Sequence, residues 1–137
     1  MKTVLLVFGT RPEAIKMAPV VAALRARADE LRTVVAVTGQ HRAMLDQVLA
    51  AFGLAPDIDL DLMRPGQSPN DVAARLLERT PPVLRETGAD VVVVQGDTTS
   101  AMAAGLAAFH ERVPVAHVEA GLRSGRMDSP FPEELNR

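Results

Sequence analysis

Cysteine, tryptophan and tyrosine are all absent from the 137 residues. Without a thiol there is no disulfide, no thiolate nucleophile and no thiolate metal site, and the composition fits a cytoplasmic protein. The only aromatics are four phenylalanines, too few to form a platform for stacked bases. A formal charge of -2 provides no basic footprint, so nucleic acid is not an expected partner. No apolar run approaches the roughly 20 residues that cross a bilayer, and no membrane partner is expected. The stretch Val4 to Phe8 is too short for a secretory signal and is followed by Arg11, Pro12 and Glu13, where a small-residue cleavage site would stand. What remains is 47% hydrophobic, enough for the core of one compact domain.

The chain is organised around Val91 to Ser100, VVVVQGDTTS. Four consecutive β-branched residues fit a strand buried on both faces, as at the centre of a parallel sheet. Gly96 permits a tight turn where the strand ends. Asp97, Thr98, Thr99 and Ser100 offer caps for a helix that begins around Thr98 and continues through Ala101 to His110. Asp97 therefore sits at the carboxyl end of a central strand, where ligands bind in open α/β sheets.

Before this stretch, Val4 to Phe8 reads as a first strand, and Gly9 to Glu13 as its turn into a helix. Thr10 and Glu13 have capping-box spacing, and Pro12 suits a first turn. Pro19 interrupts the helical pattern and predicts a kink near Lys16, since it removes a donor and clashes with the Ile15 carbonyl. Thr33 to Thr38 reads as a second strand, followed by Gly39, Gln40 and His41 and a helix from about Ala43 to Phe52. Ile58, Leu60 and Leu62 alternate with Asp57, Asp59 and Asp61, as in a strand exposed on one face. Alternation alone accounts for these aspartates, and no nearby His or Glu completes a metal site. Arg64 to Pro69 is a loop, and Asn70 to Thr87 a helix that Pro81 and Pro82 should bend or split. Val113 to Val118 reads as a fifth strand ending at Glu119, and Ser129 to Glu134 as the entry to a further helix. Because the sequence stops within that helix's first turns, a fragment of a longer protein is expected.

Strands alternating with helices predict a Rossmann-like, doubly wound parallel α/β sheet over residues 1–137, with right-handed crossovers giving strand order 3-2-1-4-5. Strands one and four then meet at the switch point. This brings Arg11 and Lys16 beside Asp97, with Glu119 one strand further on. The first turn lacks GxGxxG and is no dinucleotide fingerprint. Two cations suit a phosphate-bearing ligand, and carboxylates in one crevice suit proton transfer. Each residue also has a plainer role open to it. Asp97 could only cap a helix, Lys16 could be a solvated charge, and Arg11 and Glu13 could form a surface pair. His117 reads as a packed or hydrogen-bonded strand residue, His110 as the end of a helix, and His41 as a loop residue facing ligand or solvent.

Read together, FGTRPEAIKMAP from Phe8, TGQHRAMLDQVL from Thr38, QGDTTS from Gln95, HVEAGLRSG from His117 and SPFPEELNR from Ser129 closely resemble the non-hydrolysing UDP-N-acetylglucosamine 2-epimerases. One departure is Gln95, where many relatives carry His; since the following acid is kept, little is expected to change. The resemblance implies the amino-terminal half of a glycosyltransferase-B-like two-domain fold, with the UDP-binding carboxy-terminal domain absent. It implies interconversion of UDP-N-acetylglucosamine and UDP-N-acetylmannosamine by elimination and re-addition of UDP, without metal or other cofactor, in support of polysaccharide biosynthesis. Asp97, Glu119 and Glu133 would form the acid-base set; Arg11 and Lys16 would contact substrate and diphosphate, with Asp97 and Glu119 also binding it. Gln40 and Gln67 would line a neighbouring allosteric site for the same nucleotide sugar. A homodimer is implied for the full-length protein, and the fragment alone is expected to be inactive or nearly so. A sugar transferase of the same fold and a non-catalytic nucleotide-sugar-binding module remain alternatives.

Overall fold

A computed structural model describes residues 1–40 and 42–137. Its strands are β1 (Lys2–Phe8), β2 (Leu31–Val37), β3 (Ile58–Asp59), β4 (Val91–Gln95) and β5 (Val115–Val118). They alternate with helices α1 (Arg11–Arg25), α2 (Arg42–Ala51), α3 (Pro69–Thr87) and α4 (Thr99–His110), and α5 (Glu133–Asn136) follows β5. The strands pair in parallel in the order β3-β2-β1-β4-β5, as the alternation of strands and helices predicts. Alternate side chains divide β1 between two cores. Val4, Leu6 and Phe8 pack with Ala14, Met17 and Val21 of α1 and with Leu45 and Leu49 of α2. Leu5 and Val7 face Leu76 and Leu84 of α3 and Ala104 and Ala108 of α4. Each strand of the centre is thus apolar on both faces, which is why β4 reads as an unbroken valine run.

Several sequence expectations are corrected. Pro81 and Pro82 do not split α3, which runs unbroken to Gly88, and Pro19 lies inside a continuous α1. Pro19 and Pro82 are exposed and Pro81 is half-buried. Meanwhile Leu76, Thr80, Val83, Leu84 and Thr87 remain buried along the other side of α3. The third strand stops at Asp59 because Asp61 adopts a positive φ of 45°. Leu60 and Leu62 are nonetheless buried. Asp59 and Asp61 are bound by the Arg42 guanidinium, which holds the Asp59 carboxyl below its usual range. Asp57 accepts from the Val35 N–H at 2.8 Å. The fifth strand starts at Val115, because Val113 N–H closes the end of α4 on the Ala108 carbonyl and Pro114 has no N–H to give.

Candidate functional site

All the turns that leave the carboxyl ends of β1, β4 and β5 meet in one region. The β1–α1 turn is built on Thr10, whose hydroxyl accepts from Glu13 N–H while the Glu13 carboxylate accepts from Thr10 N–H, a complete capping box. Glu13 itself is buried, at 2% exposure. Its Oε2 accepts from Gly9 N–H at 2.9 Å, Thr10 N–H at 2.7 Å and the Thr10 hydroxyl at 2.9 Å; its Oε1 accepts from the Thr98 hydroxyl at 2.6 Å. The surface pair of Glu13 with Arg11 is therefore not formed: the acid points inward and ties β1–α1 to β4–α4.

Gly96, at φ 70°, turns the chain out of β4, and Thr98 rather than Asp97 caps α4, accepting from Ala101 N–H at 3.0 Å. Released from capping, Asp97 binds Arg137, with Oδ2 at 3.0 Å from Nε and 2.8 Å from Nη2. Its carbonyl accepts from the Asn136 amide at 2.9 Å. Arg137 also reaches Glu134 at 3.1 Å. Glu134 is 1% exposed and accepts from Ser124 N–H at 3.0 Å, Arg123 Nε at 2.9 Å and Gly125 N–H at 3.3 Å. The Ser124 amide, with Arg123 and the Gly125 amide, holds its carboxyl down at about 2.

At the end of β5, Glu119 takes a positive φ of 60°, a conformation that costs a non-glycine residue about 1–3 kcal/mol and is commonly kept where a side chain must be aimed. Its carboxylate receives both Lys16 Nζ and the Gln95 amide at Oε2. The departure at Gln95 therefore bears directly on how this acid is held. His117 donates from Nε2 to the Gly96 carbonyl at 2.5 Å, fastening the turn beneath Asp97.

At this edge of the sheet two adjoining cavities share Asp97 and Thr98. The first, of about 420 Å³, is lined by Thr10, Pro12, Glu13, Lys16, Gln95, Gly96, Asp97, Thr98, Glu119, Leu122 and Arg137. The second, of about 290 Å³, includes Gln40, Gln67, Asp97, Thr98, Glu133 and Asn136 in its lining. Lys16, Asp97 and Glu119 thus converge, and Gln40, Gln67 and Glu133 converge beside them, with Asp97 and Thr98 common to both. Arg11 lines neither; it is exposed at the first position of α1, between the lining residues Thr10 and Pro12. The Oε2 atom of Glu133 is buried without a hydrogen-bond partner among the described residues. Gln67 clasps its own loop, accepting from Arg64 N–H at 2.7 Å and donating to the Leu62 carbonyl at 3.1 Å. His41 lies outside the described residues. Sequence reasoning missed Arg137, Gln95 and the inward role of Glu13. Only the Thr10–Glu13 spacing signalled any of these, because the other contacts join residues far apart in the chain.

A family model described as UDP-N-acetylglucosamine 2-epimerase matches residues 22–137. The chain is 59% identical over 134 residues to a UDP-N-acetylglucosamine 2-epimerase of Yersinia pestis, a match covering 98% of this chain and 35% of the relative. It is 58% identical to that of Escherichia coli strain K12, with the same coverage. It spans about a third of the length of these curated relatives. Among solved structures, the Neisseria meningitidis UDP-GlcNAc 2-epimerase bound to UDP-GlcNAc is similar at a TM-score of 0.92 and 49% identity, over 98% of this chain and 37% of that one. The Methanocaldococcus jannaschii UDP-GlcNAc 2-epimerase in complex with UDP-GlcNAc and UDP is similar at 0.89 and 33%, over 98% and 36%.

Proposed function

Because this chain belongs to the UDP-N-acetylglucosamine 2-epimerase family, we propose that it is the amino-terminal, Rossmann-like domain of an enzyme that interconverts UDP-N-acetylglucosamine and UDP-N-acetylmannosamine. In this reading a carboxylate removes the C2 proton while the C1–O bond to UDP breaks, leaving a C1=C2 glucal. UDP then re-adds at C1 and a proton returns to C2 on the opposite face. C2 begins and ends at the same oxidation level, so the balance needs no external oxidant or reductant.

The observation that carries this reading is the arrangement of carboxylates around Asp97, which lines both cavities, with Glu119 in the first and Glu133 in the second. A reaction that takes a proton from one face and returns it to the other calls for acid-base groups approaching from more than one side. Lys16, paired with Glu119, is suited to orient that acid or to meet the substrate. Arg11 is assigned to the diphosphate, where a guanidinium can bind two oxygens at once. Gln40 and Gln67 are assigned to an allosteric nucleotide-sugar site in the second cavity.

The proposal includes a homodimer of the full-length protein, acting on its nucleotide sugar in the cytoplasm. Since the relatives are about three times as long, the isolated chain is expected to be inactive or nearly so, because catalytic groups acting as a unit fail together. The test is to join this domain to the remaining two-thirds of a family relative and supply UDP-N-acetylglucosamine. Formation of the mannosamine epimer supports the reading; transfer of the sugar to an acceptor, or binding without turnover, refutes it.

A further inference from the structure

The floor of the first cavity carries a feature that the epimerase reading does not use. Four hydrogen-bond donors that could serve an anionic ligand at the sheet's switch point are Gly9 N–H, Thr10 N–H and the hydroxyls of Thr10 and Thr98. All four point at one internal carboxylate, Glu13. Both hydroxyls belong to helix caps: Thr10 begins α1 and Thr98 begins α4. Turns of this kind, with amides aimed outward at a helix N-terminus, commonly receive phosphate. Here the buried Glu13 carboxylate satisfies those amides instead, and all its donors are neutral groups.

The rest of the lining adds to the effect. Three carboxylates, Glu13, Asp97 and Glu119, stand against two cations, Lys16 and Arg137, and each cation is engaged by an acid. Like charges a few ångströms apart near a protein surface repel strongly enough to set occupancy. Arg11, in contrast, is exposed just outside this floor.

We infer that Glu13 is a specificity-determining residue: by consuming the donors of the two cap turns, it denies the cavity floor to phosphate and reserves it for an uncharged, hydroxyl-rich part of the ligand. The inference rests on the nucleotide-sugar reading and fixes the orientation within it. The sugar ring lies inward over Glu13 and Thr98, and the diphosphate outward toward Arg11. Glu13 then acts as a filter at this floor, because a free phosphate group such as that of pyrophosphate gains nothing from entering it.

The experiment uses this chain and inorganic pyrophosphate, read by amide NMR shifts at Gly9, Thr10, Thr98 and Ala101. No turnover is involved, so a chain that lacks epimerase chemistry still passes or fails. In the wild-type chain these amides are expected not to respond to pyrophosphate. In Glu13→Gln they should respond, with affinity at that locus raised at least ~10-fold on removal of the charge. Thr98→Ala removes one donor but keeps the carboxylate, and should exclude pyrophosphate as the wild type does. Pyrophosphate binding at these amides in the wild type or in Thr98→Ala overturns the inference. A folded Glu13→Gln with no gain overturns it as well. Should Glu13→Gln fail to fold, the wild-type and Thr98→Ala titrations decide alone.

Discussion

Replacing Gly9 by alanine should damage the floor of the site through packing alone. Gly9 has no positive φ to protect, yet a Cβ added there would lie 1.7 Å from Thr38 Oγ1 and 3.1 Å from Thr38 Cβ. Both are inside the roughly 3.5 Å at which heavy atoms sit comfortably. Thr38 is fully buried, and its backbone is pinned on both sides, its N–H donating to the Phe8 carbonyl and its own carbonyl accepting from Leu62 N–H, each at 3.0 Å. It cannot simply retreat. Overpacking of this kind costs about 1–3 kcal/mol, so Gly9→Ala is expected to fall in that range, toward its upper end. The Thr38 hydroxyl has no hydrogen-bond partner among the described residues, so Thr38→Ala should be close to neutral. In the double variant only the 3.1 Å approach to Cβ remains, and at least ~1 kcal/mol of the loss should return. Urea unfolding read at constant m provides the assay. A Gly9→Ala chain within about 0.5 kcal/mol of wild type, or a double variant no better than the single, would refute the close-approach account.

Three further outcomes follow from the site. In the completed enzyme, Asp97→Asn or Glu119→Gln should lower the epimerisation rate by about 10²–10⁴-fold, the usual contribution of a general acid or base; a change under tenfold in steady-state rate removes that residue from the acid-base set. Glu133→Gln should lower the same rate with little change in urea stability, because Oε2 of Glu133 is buried without a partner among the described residues and no hydrogen bond is lost on substitution; marked destabilisation would count against this. Glu134, whose carboxyl is held at about 2 against an ordinary 4.5, contributes stability that is fully present above pH 4.5 and lost as pH falls toward 2. The acid unfolding profile of Glu134→Gln should therefore be flatter than wild type over that window, and parallel profiles would assign the acid sensitivity elsewhere.

Much of the fold was legible because it is written in local pattern. The valine run of β4 announces a strand buried on both faces, and Thr10 with Glu13 announces a cap. Alternation of strands and helices then leaves few topologies, and the observed order is among them. The errors arose where tertiary contacts overrode a local rule. Asp61 breaks the alternating 58–62 stretch because Arg42 gathers Asp59 and Asp61 from a different element. Pro81 and Pro82 leave α3 unsplit because packing of its opposite side outweighs the missing hydrogen bonds. The site was legible as a set of residue types at strand ends, since topology alone brings Lys16, Asp97 and Glu119 together. Its wiring was not. Arg137 meets Asp97 across 40 positions and Thr98 meets Glu13 across 85, separations at which spacing carries no signal. The capping role of Glu13 was legible because it is local; its burial was not, because that depends on the Thr98 hydroxyl at the start of α4.

The measurement that tests the central claim most directly is hydrogen exchange at C2 of UDP-N-acetylglucosamine in heavy water, catalysed by this domain joined to the remainder of a family relative, with Asp97→Asn alongside. Proposed proton removal and return at C2 predicts deuterium at that carbon in both epimers, and loss of incorporation by at least ~10²-fold in the variant. A folded, substrate-binding protein that leaves C2 fully protonated would contradict the account.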